Sequence, residues 1–227
     1  YVKPTGSDLN AGTSASIAWR TVTKALSATG ASSGDTVYVA PGIYRETISV
    51  AGTYASTVTV IGDRTSSQFN DIAAGYVRIT GLASDALGSS TSVGDFTSNS
   101  KSNFRFENIW FEMGISLTSN TTNVTFIRCQ ITPRTQPTPG QGSAVISLDT
   151  TGQSNILFDK CFIVGGIYAS GSGNNTTTRF NACLWEATSI GSNGSFEGVN
   201  TGSPAIYFSN CTIWGASSQQ IFRGYSP

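Results

Sequence analysis

The chain has 227 residues, enough for one large domain or two small ones. Only 11% of the residues are charged, thirteen basic side chains balance thirteen acidic ones, and histidine is absent. This composition argues against a nucleic-acid partner and excludes Ser-His-Asp triads and histidine metal sites. No apolar stretch reaches about 18 residues, so no membrane span is predicted. The first residue is Tyr1 rather than methionine, so we expect a processed chain or part of a longer one.

The N-terminal residues predict a small cap before the first strands. Apolar residues recur there at helical spacing: Trp19, Val22 and Leu26. They predict an amphipathic helix over about residues 17–29, with Ser16 as its N-cap and Gly30 as its stop signal. We assign residues 1–35 to this cap, residues 36–222 to stacked coils, and the whole chain, 1–227, to a single domain.

An internal repeat of the form Asn-apolar-x-Phe-x-x-Cys-x-Ile occurs five times, with substitutions, in the second half of the chain. Its phenylalanines are Phe106, Phe126, Phe158, Phe180 and Phe208, and its cysteines are Cys129, Cys161, Cys183 and Cys211. Because side chains two apart on a strand point the same way, the apolar residues of each repeat face inward. The two residues between Phe and Cys break that alternation and predict a tight corner. One unit cannot bury its inner face alone, so we predict that the repeats stack in register as coils.

Two further expectations follow from stacking. The Asn that opens three repeats, at Asn103, Asn123 and Asn155, is predicted to form a hydrogen-bonded ladder. Cysteines in adjacent coils would lie within disulfide range, at a spacing of about 5 Å, but their side chains would run parallel. We therefore favour buried thiols acting as small hydrophobic residues over disulfides. No Cys-x-x-Cys spacing occurs, and the sequence predicts neither a metal nor a cofactor.

Three segments near the N-terminus, together with the Phe-x-x-Cys-x-Ile coils, resemble the pectin-lyase-like superfamily. The segments are residues 6–8 (Gly-Ser-Asp), 19–26 (Trp-Arg-Thr-Val-Thr-Lys-Ala-Leu) and 34–46 (Gly-Asp-Thr-Val-Tyr-Val-Ala-Pro-Gly-Ile-Tyr-Arg-Glu). The resemblance implies an all-β fold: a single right-handed parallel β-helix of about eight coils with an N-terminal capping α-helix. That superfamily contains polysaccharide lyases and hydrolases, bacteriophage tailspikes, adhesins and non-catalytic structural proteins, so the resemblance implies the fold rather than a function.

The catalytic motifs of enzymes in that superfamily are absent, which favours a non-catalytic chain. Glycoside hydrolysis needs two carboxylates about 5–10 Å apart. The repeat register places Glu112 and Glu186 on the outer face three coils apart, or about 14 Å, which is too far. Glu107 and Asp159, two coils apart, come near the upper limit, and we interpret them as solvated corner charges. An active site formed between subunits stays open.

The register also predicts an apolar strip on one outer sheet, formed by Trp110, Phe162, Val164, Leu184 and Trp214. A monomer rarely exposes such a patch. Three interpretations stay open: loops such as residues 133–142 cover the strip, other subunits pack on it, or its aromatic rings stack on sugars.

Our leading hypothesis from the sequence is a non-catalytic structural or adhesive protein on a virion surface or in another extracellular assembly. A phage head-decoration, fibre or tailspike-type component is the concrete form, with a homotrimer or larger assembly expected by analogy with such proteins. The first alternative is a polysaccharide depolymerase, either a lyase or a glycoside hydrolase, and the second is a carbohydrate-binding module. A polysaccharide is the ligand we consider, whereas nucleic acid and membrane partners are not expected.

Overall fold

The computed structural model describes residues 1–85, 95–132, 144–149, 151–170, 177–187, 196–199, 205–215 and 222–225. The described strands form three parallel sheets of seven strands each, and every coil contributes one strand to each sheet. The chain is therefore a right-handed parallel β-helix, as the sequence predicted. Seven coils have all three strands, and bridges from Val2 to Val39 and to Trp19 add a partial layer at the N-terminal end.

The strands alternate regularly among the three sheets. The first sheet contains β1 (Thr36–Val39), β4 (Val58–Gly62), β7 (Phe104–Glu107), β10 (Thr122–Ile127), β13 (Ser154–Asp159), β16 (Thr177–Asn181) and β19 (Ala205–Ser209). The second sheet contains β2 (Gly42–Arg45), β5 (Val77–Thr80), β8 (Trp110–Glu112), β11 (Gln130–Ile131), β14 (Phe162–Val164), β17 (Leu184–Ala187) and β20 (Thr212–Gly215). The third sheet contains β3 (Ile48–Ser49), β6 (Phe96–Thr97), β9 (Ile115–Leu117), β12 (Ala144–Asp149), β15 (Gly166–Ser170), β18 (Phe196–Val199) and β21 (Phe222–Tyr225).

The capping helix α1 (Val22–Ala25) has four residues and is much shorter than the predicted span of about 17–29. Its N-cap is Thr21 rather than Ser16, and the Thr21 hydroxyl accepts a hydrogen bond from the Lys24 N–H at 3.0 Å. Trp19 lies in an extended bridge with Val2, so its apparent helical spacing to Val22 joins two different elements.

The interior is built from columns of like residues. Phe106, Phe126, Phe158, Phe180 and Phe208 lie directly opposite one another in consecutive strands of the first sheet. The rings of Phe126, Phe158 and Phe180 stack almost parallel, with centroids 4.9 and 4.8 Å apart. This distance is the spacing between neighbouring strands, so the backbone register sets the ring stacking.

The cysteines form a second column, and all four are free thiols. Each Sγ donates a hydrogen bond to the carbonyl oxygen of the column phenylalanine one coil earlier, at distances of 3.3–3.6 Å. Burial raises the pKa of the Cys211 thiol at the C-terminal end of the column, so the uncharged form is favoured there. These thiols pack as small hydrophobic groups that also satisfy a carbonyl.

Two sets of left-handed residues shape the corners. The expected asparagine ladder exists: Asn123 Nδ2 donates to Asn103 Oδ1 at 2.9 Å, and Asn155 Nδ2 donates to Asn123 Oδ1 at 2.8 Å. The corner between the first and second sheets uses one left-handed residue in each of five coils, with φ between 50° and 58°: Asn108, Arg128, Lys160, Ala182 and Asn210. Such a residue ends the alternation of one strand and starts the next.

This corner predicts the effect of one substitution. For residues other than Gly and Asn, the left-handed backbone conformation costs about 1–2 kcal/mol of conformational free energy. We expect Ala182→Asn to raise the free energy of unfolding by about 0.5–1 kcal/mol, because Asn tolerates this backbone and the neighbouring Lys160 shows that a longer side chain fits. Urea denaturation measures the change. Asn210→Ala, at the same position one coil later, should lower stability by a similar amount, and equal stability of all three proteins would contradict the assignment.

Candidate functional site

The outer face of the second sheet carries all five residues of the predicted apolar strip. One column across successive coils contains Arg78, Trp110, Gln130, Phe162, Leu184 and Thr212. A neighbouring column contains Val164, Glu186 and Trp214. The loop that we considered as a cover, residues 133–142, lies outside the described residues.

The C-terminal half of this strip is open to solvent. Leu184 is 49% exposed and Trp214 is 40% exposed. The rings of Phe162 and Trp214 lie nearly parallel, with centroids 6.3 Å apart, although two coils separate their strands. Large apolar side chains held at this exposure can contact a ring or another apolar group of a partner.

Trp110, at the N-terminal end of the strip, is packed rather than free. Its Nε1 donates to Thr132 Oγ1 at 2.7 Å, and the edge of Tyr76 meets its ring at a centroid distance of 6.5 Å. The Arg78 guanidinium carbon lies 5.3 Å from the centre of the ring. Trp110 therefore supports Arg78, and Tyr76, which is 61% exposed, is the accessible aromatic residue at this end.

Arg78 organises a cluster of four charged side chains, which we call the ion cluster: Arg45, Arg78, Asp85 and Glu112. Arg78 Nε and Nη2 donate to Glu112 Oε2 at 2.9 and 2.6 Å. Arg78 Nη2 also donates to Asp85, which accepts a second hydrogen bond from Arg45. Glu112 lies on the outer face, as the register predicted, but its side chain is only 6% exposed within the ion cluster. Asp85 reaches the cluster from the loop after β5.

The ion cluster brings two carboxylates together. Asp85 and Glu112 bond the same Arg78 nitrogen, so their bonded oxygen atoms lie within roughly 5 Å of one another. The hydrogen bond from Arg78 holds the pKa of the Asp85 carboxyl below its ordinary value, with Arg45 adding to the effect. Asp85 therefore stays ionised at neutral pH. Paired charges on an open sheet can bind hydroxyl and carboxylate groups and can stabilise developing charge.

The carboxylate pairs considered from the sequence do not form a site. Glu112 and Glu186 lie three coils apart, as the register predicted. Glu107 forms ion pairs with two arginines: its Oε1 lies 2.6 Å from Arg105 Nη2 and its Oε2 lies 2.8 Å from Arg128 Nη2. Asp159 accepts from Asn181 Nδ2 at 2.7 Å. These carboxylates belong to corner networks between coils.

A cleft of about 710 Å³ opens beside Tyr76, where the loop after β4 leaves the corner between the first and second sheets. We call it the corner cleft, and its walls include Tyr38, Ile61, Asp63, Arg64, Tyr76 and Asn108. This volume is typical of sites for small ligands. Sequence reasoning did not identify the cleft, because its loop follows no repeat pattern.

Hydrogen bonds and packing fix the loop that forms the cleft. Asp63 accepts from Thr65 Oγ1 at 3.0 Å, from Ser67 Oγ at 3.1 Å and from the Gln68 N–H at 2.6 Å. Phe69 is buried beneath the loop and meets the Tyr1 ring edge-on. The cleft is therefore shaped before any ligand arrives.

The described residues contain no group of three or more His, Cys, Asp or Glu side chains placed to hold a metal ion. In the same part of the chain, no helix has the length and hydrophobicity needed to cross a bilayer.

The three parallel sheets and their stacked columns define a right-handed parallel β-helix protein. The fold is similar to "Pectin methylesterase PemA from Erwinia chrysanthemi", with a TM-score of 0.51 and 15% sequence identity over 93% of this chain and 65% of that chain. It is also similar to "Rhamnogalacturonan lyase", with a TM-score of 0.52 and 14% identity over 93% of this chain and 56% of that chain. These findings confirm the predicted parallel β-helix fold, and this chain spans less than two thirds of either structure.

At the level of sequence, no family model and no curated protein matches the chain. The likeness to the two solved structures therefore concerns the fold.

Asp63 makes the stability of the cleft depend on pH. Burial alone would raise the pKa of its carboxyl, but hydrogen bonds from Gln68, Ser67 and Thr65 outweigh burial and bring it below its ordinary value. The stability from Asp63 is then full above the pKa of an unfolded Asp, about 3.9, and is lost as the pH falls through the native pKa.

We expect Asp63→Asn to lower the free energy of unfolding by about 1–3 kcal/mol at neutral pH, because it removes charged acceptors from buried donors. The difference from the unmodified protein should shrink as the pH falls from about 5 to about 2. Urea midpoints across this range measure it. Ser67→Ala, which removes one hydrogen-bond donor to Asp63, should lower the free energy of unfolding by less and with the same dependence on pH. If Asp63→Asn is destabilised by the same amount at every pH, the role of the Asp63 charge is contradicted.

Proposed function

We propose that this protein is polysaccharide-active and binds an extended glycan chain along the outer face of its second sheet. The observation that carries the proposal is the set of partly exposed apolar side chains held in register on that one face, Phe162, Leu184 and Trp214, with Tyr76 exposed against Trp110 at the N-terminal end. A regular polymer suits a surface whose side chains repeat along one direction.

The outer face of the second sheet has partners for both the apolar face of a sugar ring and its hydroxyl groups. The apolar face of a pyranose stacks on aromatic rings, which Phe162 and Trp214 offer as a nearly parallel pair. Its hydroxyl groups need hydrogen-bond partners. Gln130 and Glu186 stand between apolar residues of the two columns, and Thr212 follows Leu184 at the end of one. Because these side chains sit on strands of a continuous sheet, little ordering is required when a ligand binds.

The structural neighbours support this direction. By their names, one acts on pectin and the other on rhamnogalacturonan, and both substrates are polysaccharides. A polysaccharide ligand accords with an extracellular setting. It also favours a glycan-directed function over the purely structural role that the sequence first suggested.

Trp214 gives the most direct test of the binding face. We expect Trp214→Ala to weaken binding about tenfold, because one stacking contact is lost. Affinity electrophoresis with pectin, rhamnogalacturonan and a neutral glucan measures the change. Tyr207→Ala is the matched control, because Tyr207 is 53% exposed but lies on the first sheet, and it should leave affinity unchanged.

Sedimentation separates glycan binding from assembly. The proposal expects Trp214 to stay accessible to solvent in the species that binds glycan. A stable trimer with Trp214 quenched and buried, and with no retention by any polysaccharide, would instead support the structural or adhesive role and overturn the proposal.

A depolymerase is the second candidate, and the ion cluster is the observation that favours it. Two carboxylates share Arg78 beside Trp110, at the N-terminal end of the proposed glycan path. Two carboxylates at such short range are the arrangement that glycosidic bond cleavage uses. In this arrangement Asp85 would act as the ionised group that stabilises positive charge on the sugar.

Substitutions in the ion cluster test for cleavage. If the cluster is catalytic, Asp85→Asn should lower turnover by a factor of about 100 or more while binding is retained, because a charge that acts in the transition state is removed. Release of reducing ends and of unsaturated products measures turnover. Asp85 is half-exposed, so this variant should fold, whereas Glu112→Gln should also lose stability by leaving Arg78 under-paired. Equal turnover of Asp85→Asn and the unmodified protein would remove this candidate.

A further inference from the structure

The corner cleft holds an arginine whose charge is not neutralised by any described side chain. Arg45, Arg78, Arg105 and Arg128 each form an ion pair with a carboxylate. Arg64 belongs to none of the ion pairs found within the described residues. It lies instead in the cleft wall, with an exposed side chain.

Tyr76 positions this guanidinium. The guanidinium carbon of Arg64 lies 4.5 Å from the centre of the Tyr76 ring, so the two groups stack. The backbone joins them as well, because the Gly75 N–H donates to the Arg64 carbonyl at 2.9 Å. A guanidinium held by its face keeps its edge of N–H donors for a planar, bidentate acceptor such as a carboxylate.

Asp63 narrows the class of ligand. Both of its oxygens accept hydrogen bonds from its own loop, so Asp63 does not pair with Arg64. Its negative charge nevertheless lies in the wall of the same cleft and repels a small bare anion. A ligand that carries a carboxylate together with several hydroxyl groups suits both residues. Its carboxylate can accept hydrogen bonds from Arg64, and its hydroxyl groups can donate to Asp63. Tyr38 and Tyr76 add aromatic surface for a ring.

We infer that the corner cleft is a subsite for a carboxylated sugar unit, with Arg64 as the residue that binds the carboxylate. The cleft adjoins the proposed glycan path, because Tyr76 contacts the ring of Trp110. The inference rests on the proposed function for the polymer that delivers this sugar, and it adds a charge-selective position at the N-terminal end of the path.

The test compares ligands that differ only in the carboxylate. Glucuronate and galacturonate are titrated against glucose and galactose, and a uronate-containing polysaccharide is compared with its carboxyl-reduced form. The unmodified protein should bind each acidic ligand at least about tenfold more tightly than its neutral counterpart, because a charge-assisted hydrogen bond is gained. The preference should fall as salt is raised, since the site is open to solvent.

Arg64→Gln should abolish the preference without weakening the neutral ligands, and Arg64→Lys should restore only part of it because the bidentate geometry is lost. The matched control is Arg179→Gln, since Arg179 also lies over a tyrosine, with its guanidinium carbon 6.0 Å from the centre of the Tyr207 ring, but on the first sheet. Arg179→Gln should keep the full preference.

The outcomes separate this inference from the proposed function. Polymer binding without any preference for the acidic form, or an equal loss for both forms in Arg64→Gln, overturns the cleft assignment and leaves the proposed function standing. Binding of monomeric uronates that depends on Arg64, with no binding of any polymer, supports the cleft and overturns the extended path. If neither monomeric uronates nor polymers bind, both are overturned.

Discussion

In-register stacking of coils is the constraint on which the rest of this structure depends. Parallel hydrogen bonding sets a spacing of about 4.8 Å between equivalent residues of successive coils. Phe126, Phe158 and Phe180 stack at that spacing inside. A slip of one residue in a single coil would turn its interior side chains outward and open a gap in the columns above and below. The interior thus fixes the register, and the register fixes the positions of the strand side chains on the outer faces.

The outer face inherits this order without having to pack. Leu184 and Trp214 are exposed, yet each has a defined position because its strand is held in register by pairing. The strand of Leu184, β17, pairs with a strand on each side, and the strand of Trp214, β20, pairs with β17. The corner cleft is made differently. It depends on one loop whose shape comes from the hydrogen bonds to Asp63 and from the burial of Phe69. The outer face of the second sheet therefore presents repeated side chains along the stack of coils. The irregular loop adds one position that does not repeat, at the N-terminal end of that face.

Sequence reasoning reached the features that repeat. The Phe and Cys columns, the Asn103–Asn123–Asn155 ladder and the position of Trp214 all follow from one register, and the structure has each of them where the repeat puts it. It did not reach features that occur once. The cap helix was overestimated because Trp19 belongs to a bridge. Asp85 and Arg64 lie on loops, where no periodicity indicates which strand a side chain will meet. The part of the candidate site that lies on the second sheet could therefore be predicted from the repeat. Its charged groups on loops, Asp85 and Arg64, could not be predicted and are known only from the structure.

The single left-handed residue between the first and second sheets has a consequence for how the molecule varies. In five coils this corner takes two residues between strands, as between β10 and β11 or between β16 and β17. In these five coils, differences in length fall at the other connections, as in the twelve residues between Ile131 and Ala144. Insertions are tolerated at long connections because loop closure costs little more with length. This edge of the helix is thus a straight ridge over the five coils from β7 to β20, and the one long loop at the same edge, between β4 and β5, forms the corner cleft.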